Sequence, residues 1–97
     1  MGFLSFPEFT REGLAELGGW SLLREGRTLF RAGAVNAVGW ERPLLTGSVL
    51  DKGVTYEPVL DLRSLTFVRN TCTCPTGRRG QVCAHALALC LQAQREV

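Results

Sequence analysis

The feature that most restricts how this chain can fold is a cluster of metal-ligand side chains in its last third. Cys72, Cys74 and Cys83 lie within 14 positions of one another and of His85, the one histidine of the sequence. Three thiolates and one imidazole form a complete tetrahedral donor set for zinc. Because 97 residues can bury only a small core, a metal cross-link would supply a large part of the folding energy. The cluster therefore predicts a structural zinc site, with Zn²⁺ as the cofactor.

The spacing of the ligands places them on two segments. Cys72 and Cys74 lie on extended chain that leaves a strand, and Pro75 favours a fixed bend directly after them. Cys83 and His85 begin the last helix, where two residues can converge because the first need not yet be helical. Four protein ligands leave no open position on the ion, which argues against metal-dependent hydrolysis.

Other interpretations of these residues stay open from the sequence. In one alternative, the three cysteines are core residues and His85 is a surface imidazole. In another, Cys72 and Cys74 form a redox pair. In a third, Cys83 is a nucleophile and His85 is its base. Catalysis is disfavoured because the chain has no second histidine and no evident acid to orient the first. The fourth cysteine, Cys90, lies two helical turns beyond Cys83, about 10 Å along the axis. We therefore predict that Cys90 is a buried free thiol and that the chain is not an enzyme.

The first residues predict helices. Ser5 and Glu8 have the spacing of a capping box, and Gly18-Gly19 is expected to end the first helix. A short second helical turn over residues 20–24 is expected to close at Gly26.

Short apolar runs separated by turn residues follow and predict an antiparallel β meander of three to four strands. Asp51-Lys52-Gly53 is expected to form a tight hairpin turn, because glycine readily adopts positive φ. Arg42-Pro43 predicts a second turn. Five segments are candidates for the three to four strands: residues 28–30, 34–40, 44–50, 54–62 and 65–69.

The last segment, residues 83–94, has the composition of a helix and is apolar on nearly every side. Such a helix is usually buried on more than one side, here by the sheet and by either the N-terminal helix or a surface of another protein. The predicted fold is a single α+β domain over residues 1–97. It has a helical lead-in at 1–27, a β meander at 28–70, and a zinc loop and zinc-anchored C-terminal helix at 71–97.

Charge is distributed unevenly along the chain. Residues 1–61 hold six basic and eight acidic side chains, whereas residues 62–95 hold five arginines and no acid. This sign fits a polyanionic partner, and DNA phosphates would be contacted by Arg78 and Arg79 in the zinc loop, with Arg69 and Arg63 extending the track. The alternative is that these arginines are an ordinary solvated surface.

A protein partner is the competing interpretation. The apolar final helix would then dock on the remainder of a parent protein or on another protein, and a patch beside Leu89 and Leu91 would mark the contact. Four aromatic residues of this small domain also favour such a role, although most of them are expected in the core: Trp20, Phe30, Trp40 and Tyr56.

The compartment follows from what the sequence lacks. No apolar stretch of about 18 residues occurs and the N-terminus has no basic leader, so we expect no membrane span and no secretory signal. We expect a cytoplasmic protein, in which reduced cysteines more often bind metal than form disulfides. Nothing in the sequence indicates a small-molecule substrate.

The pattern Cys72-x-Cys74-x8-Cys83-x-His85 resembles the SWIM-type zinc finger, in which Cys-x-Cys and Cys-x-His flank a variable spacer. Pro75 directly after the second cysteine agrees with that family. The resemblance implies a β-strand lead-in, zinc, a C-terminal helix, and a role in binding DNA or other proteins. The compact spacer looks most like the SWIM domains attached to bacterial Swi/Snf-type helicase-like ATPases. No Walker lysine motif occurs in this chain, so it is not expected to be the motor itself.

Overall fold

Residues 10–63 and 68–96 are the part of the chain that the computed structural model describes. Within it, helices precede and follow an antiparallel sheet, so the α+β class predicted from the sequence is confirmed. The elements are α1 (Arg11–Gly18), α2 (Trp20–Arg31), β1 (Val35–Glu41), β2 (Leu44–Asp51), β3 (Val54–Tyr56), β4 (Val59–Asp61), β5 (Arg69–Thr71), α3 (Pro75–Arg78) and α4 (Ala84–Glu96).

The first two helices adjoin at Gly19. The hydroxyl of Thr10 caps α1 by accepting a hydrogen bond from the backbone N–H of Gly13, at 2.9 Å. Gly19 then takes a φ of 93°, which ends α1 where the Gly18-Gly19 pair predicted it. The predicted cap at Ser5 and Glu8 lies outside the described residues.

The second helix is longer than the sequence predicted. It is 12 residues long and runs from Trp20 through Gly26 to Arg31. Both the expected end at Gly26 and the expected strand at 28–30 are therefore wrong. A Cβ on Gly26 would lie 3.0 Å from the carbonyl oxygen of Ala84 and 3.0 Å from Cβ of Leu87. The glycine therefore allows close packing of α2 on α4, and it does not end the helix.

The sheet has the order β1-β2-β4-β5, with β3 also paired to β2. Every pairing is antiparallel. Strands β3 and β4 follow one another along the same edge of β2 and are separated at Glu57-Pro58, so the single strand predicted for 54–62 is interrupted there. The hairpin turn is as predicted, with φ of 54° at Lys52 and 81° at Gly53. The strand expected at 65–69 falls mostly outside the described residues, and β5 begins at Arg69.

Helix α4 is the centre of the core. It packs against α1 and α2 on one side and against β1 and β2 on the other, which confirms that it is buried on more than one side. Leu87 and Leu89 are fully buried, and Leu91 packs at the margin of the core. A Cβ on Gly47 would lie only 2.5 Å from Cδ1 of Leu89, so the sheet and the helix are in tight contact. None of the helices in the described ranges has the length and apolar character needed to span a membrane.

Of the four aromatic residues named above, two behave as core residues. Trp40 and Tyr56 are partly buried and pack against the core cluster. Trp20 differs, because 54% of its surface is exposed at the start of α2.

Candidate metal centre

The four predicted ligands come from three places in the fold and meet in one buried cluster. Cys72 directly follows β5, Cys74 caps α3, Cys83 directly precedes α4, and His85 lies in the first turn of α4. All four residues are buried. Their ligand atoms all lie within 4.8 Å of one another.

The geometry and the donor chemistry both fit zinc. A tetrahedral zinc ion with its usual sulfur and nitrogen bond lengths separates its ligand atoms by about 3.3–3.8 Å. The sulfur of Cys72 lies 4.0 Å from Nδ1 of His85, close to that range. Three cysteines and one histidine are a common structural zinc set, so the cluster is positioned to bind a metal, consistent with zinc.

The short helix α3 shapes the first ligand pair. A loop was predicted here, whereas Pro75–Arg78 form one helical turn whose cap is Cys74. The sulfur of Cys74 accepts a hydrogen bond from the backbone N–H of Gly77, at 3.3 Å. Gly77 also lies directly against Cys72, because a Cβ at this position would be 2.6 Å from the Cys72 nitrogen. The turn therefore fixes both cysteines of the Cys-x-Cys pair.

A buried asparagine connects β5 to the second ligand pair. Asn70 is fully buried, and its side-chain amide donates a hydrogen bond to the carbonyl of Gln81 at 2.7 Å. The same amide nitrogen lies 3.5 Å from the sulfur of Cys83. The sequence pattern did not single out Asn70. Its position two residues before Cys72 was the available signal, since that places it on the inner face of the strand leading into the site.

An acidic side chain lies next to the histidine in the fold. The Oδ2 atom of Asp51 lies 2.9 Å from Nε2 of His85, and the ring of Tyr56 stacks on the imidazole with centroids 4.2 Å apart. No acid beside His85 is evident in the sequence, and the fold supplies one in Asp51. Asp51 was missed because 34 positions separate it from His85, and only the fold of the β2–β3 hairpin brings them together.

The electrostatics of the cluster favour a cation. A hydrogen bond from the Cys72 thiol is the main reason that the pKa of Cys83 is lowered to about 4, while the pKa of Cys72 is raised. Burial acts to lower the pKa of His85, but hydrogen bonds with Cys83, Asp51 and Cys74 outweigh it and raise this pKa to about 9. The site thus stabilises a thiolate beside positive charge. A divalent cation would supply that charge and displace the protons.

Cys90 lies apart from this cluster. It is 1% exposed, as predicted for a free thiol in the core. Burial raises the pKa of its thiol to about 12, so the thiol stays protonated at neutral pH.

The four arginines predicted to bind nucleic acid are all exposed, but they differ in their surroundings. Arg78 ends α3 and Arg79 follows it, in the loop between the two ligand pairs. Arg63 instead forms an ion pair with Asp61 at 2.7 Å, and Arg69 is the cross-strand neighbour of Asp61. Hydrogen bonds from Arg63 are the main cause of the lowered pKa of Asp61. One part of the predicted track is therefore partly neutralised by an acid.

Comparison with known families supports the metal assignment. The SWIM zinc finger family matches residues 60–94, from β4 into α4, and this segment includes all four ligands. Neither a curated protein nor a solved structure matches the chain. The matched segment is a zinc-binding module by similarity. Asp51 and Tyr56, which contact the histidine ligand, lie outside it.

Proposed function

We propose that this chain is an accessory zinc-binding module that binds DNA through Arg78 and Arg79, as part of a larger helicase-like ATPase. The observation that carries the proposal is the position of this arginine pair. Cys74 precedes Arg78 by four residues and Cys83 follows Arg79 by four residues. A bound zinc would hold the loop at both ends, so two exposed cations would be presented at little further cost in conformational entropy.

The charge around the loop supports this function. No acidic residue occurs from position 62 to position 95, where five arginines lie. A zinc ion with three thiolates and a neutral imidazole carries a net charge of about −1, which leaves this segment positive. Arg63 contributes less, because Asp61 already neutralises it. Contacts by Arg78 and Arg79 would be made to phosphates, so binding would be weakly sequence-dependent and strongly salt-dependent.

The setting of the module is part of the same proposal. The compact eight-residue spacer between Cys74 and Cys83 resembles the SWIM domains of bacterial Swi/Snf-type ATPases. A module of this kind would contribute DNA contact to a motor that lies elsewhere in the protein. A cytoplasmic location, where cysteines stay reduced, suits the zinc site.

The proposal is tested by titrating the zinc-loaded protein against a fluorescently labelled DNA duplex at about 50 and 200 mM salt. We expect the double variant Arg78→Ala/Arg79→Ala to bind more weakly. The slope of log K against log salt concentration should fall in magnitude by about 1.8, the value for two lost phosphate contacts. The matched control is Arg24→Ala/Arg31→Ala, which removes the same charge from exposed positions on α2. Absence of binding at low salt, or equal loss in both double variants, would contradict the proposal.

One observation favours a second candidate, a protein-docking module without nucleic-acid contact. Trp20 is 54% exposed, and a groove next to the start of α2 is lined by apolar side chains such as Leu17, Leu22 and Val82 together with the polar Thr76 and Gln81. Helix α4 is largely covered by the chain's own sheet and helices, so docking would use this groove and not α4. A zinc-loaded protein that fails to bind DNA at low salt would favour this candidate.

A further inference from the structure

The two nitrogens of the His85 ring face different partners. Nε2 lies 2.9 Å from the carboxylate of Asp51, and Nδ1 lies on the side of the cysteine sulfurs, 4.0 Å from that of Cys72. A neutral imidazole has one N–H and one lone pair. If Nε2 donates its hydrogen to Asp51, the lone pair is on Nδ1 and points into the metal cluster.

The β2–β3 hairpin sets the position of the aspartate. Asp51 is the last residue of β2 and is paired with Val54 across the two-residue turn. Two residues earlier in β2, Val49 pairs with Tyr56, so the ring stacked on His85 comes from the same face of the same hairpin. The side chains of His85 and Asp51 are only 9% and 28% exposed. A hydrogen bond in such a partly desolvated place is stronger than one at an open surface.

We infer that Asp51 is a positioning residue of the zinc site, which fixes Nδ1 of His85 as the ligand atom and makes the β2–β3 hairpin part of the metal centre. Histidine ligands of metals commonly donate their second N–H to a carboxylate, and loss of that partner lowers metal affinity by about 10–100-fold. The hairpin lies outside the residues matched by the SWIM family, so the family comparison does not assign it a role. The inference rests on zinc binding and does not depend on DNA binding.

The first test measures zinc affinity by competition with a chromophoric chelator. We expect Asp51→Ala to bind zinc about 10–100-fold more weakly than the unaltered chain, and Asp51→Asn to recover part of the loss because its amide oxygen still accepts from Nε2. The control is Asp61→Ala, which removes an aspartate from another strand end where the carboxylate pairs with Arg63. An affinity of Asp51→Ala within twofold of the control would overturn the inference.

The second test observes the two nitrogens of the His85 ring directly. A merely structural role of Asp51 would not predict which nitrogen binds the metal. Long-range ¹H–¹⁵N spectra of the zinc-loaded, unaltered protein distinguish a ring bound through Nδ1 from one bound through Nε2. We expect metal at Nδ1 and a slowly exchanging proton on Nε2, with faster exchange in Asp51→Asn and Asp51→Ala. Metal at Nε2 would overturn the inference whatever the variants do, so the test remains decisive even if Asp51→Ala does not fold.

Discussion

Replacing Gly77 by alanine should damage the zinc site although no ligand is changed. The added Cβ would lie 2.6 Å from the backbone nitrogen of Cys72 and 2.7 Å from its Cα, and closer still to its Cβ. Carbon atoms in contact prefer about 3.5–4.0 Å, so α3 and Cys72 would have to separate by about 1 Å. The neighbouring atoms belong to the backbone and to the Cβ of a ligand, so no flexible side chain can absorb the shift.

The cost can be converted into a change in zinc affinity. Overpacking in a tight interior costs about 1–3 kcal/mol, and here it falls on the folded, zinc-bound form. Because structural zinc binding is coupled to folding, and about 1.4 kcal/mol is a tenfold change, affinity should fall about 5–150-fold. Chelator competition measures this loss. Substitution of Co²⁺ for zinc should also show a perturbed tetrahedral absorption spectrum if the Cys72 sulfur is displaced.

The matched control is Gly13→Ala in α1, far from the metal cluster in sequence. Among the described residues, its new Cβ would meet the Thr10 hydroxyl oxygen alone, at 3.3 Å, and alanine favours the helix by about 1 kcal/mol. Zinc affinity of the control should stay at the unaltered value or rise slightly. If Gly77→Ala binds zinc within twofold of the unaltered chain, the argument that this contact shapes the Cys-x-Cys pair is refuted.

Three further predictions concern the core and the surface. Gly26→Ala should lower the free energy of unfolding of the zinc-loaded protein by up to about 2 kcal/mol in denaturant titrations. The reason is that the cost of overpacking against Leu87 exceeds the gain of about 1 kcal/mol in helix propensity, and a more stable variant would contradict this. Cys90→Ala should retain one zinc per chain by elemental analysis, because this buried thiol is not part of the ligand cluster, and loss of zinc would show otherwise. Arg63→Ala should raise the pKa of Asp61 in an NMR titration, because the guanidinium stabilises the charged carboxylate. This stabilisation is present at pH values above the pKa of Asp61 and is lost as the pH falls through the folded-state pKa. An unchanged titration curve would contradict the prediction.

The metal ligands and the last helix were accessible from sequence for a simple reason. The four ligands lie within 14 positions, so their spacing alone restricts the chain to a strand exit, a loop and a helix start. The composition of residues 83–94, without glycine or proline, indicates helix, and its apolar character indicates burial on several sides. Both inferences depend on local properties, and the structure agrees with both.

The errors arose where tertiary packing overrides local preference. Gly26, Thr28 and Phe30 have low helix propensity, and threonine and phenylalanine favour strands, so local preference predicts a turn and a strand after Gly26. In the fold, α2 instead continues as one amphipathic helix whose Gly26 lies against α4. Glycine occurs both where two helices pack closely and where a helix ends. The sequence of one chain does not distinguish these two roles of a glycine.

The same distinction between local and distant contacts explains the metal centre. The residues that bind the ion are close in sequence, because the chain must surround one point within a short loop and helix start. The group that faces the histidine is not so restricted, because Asp51 ends strand β2, 34 positions before His85. A spacing pattern therefore identifies residues positioned to bind a metal and a donor set consistent with zinc, whereas the orientation of these side chains depends on the sheet. If Asp51 fixes His85 as inferred, the functional unit of the site extends from the β2–β3 hairpin to α4, beyond the segment that the ligand pattern defines.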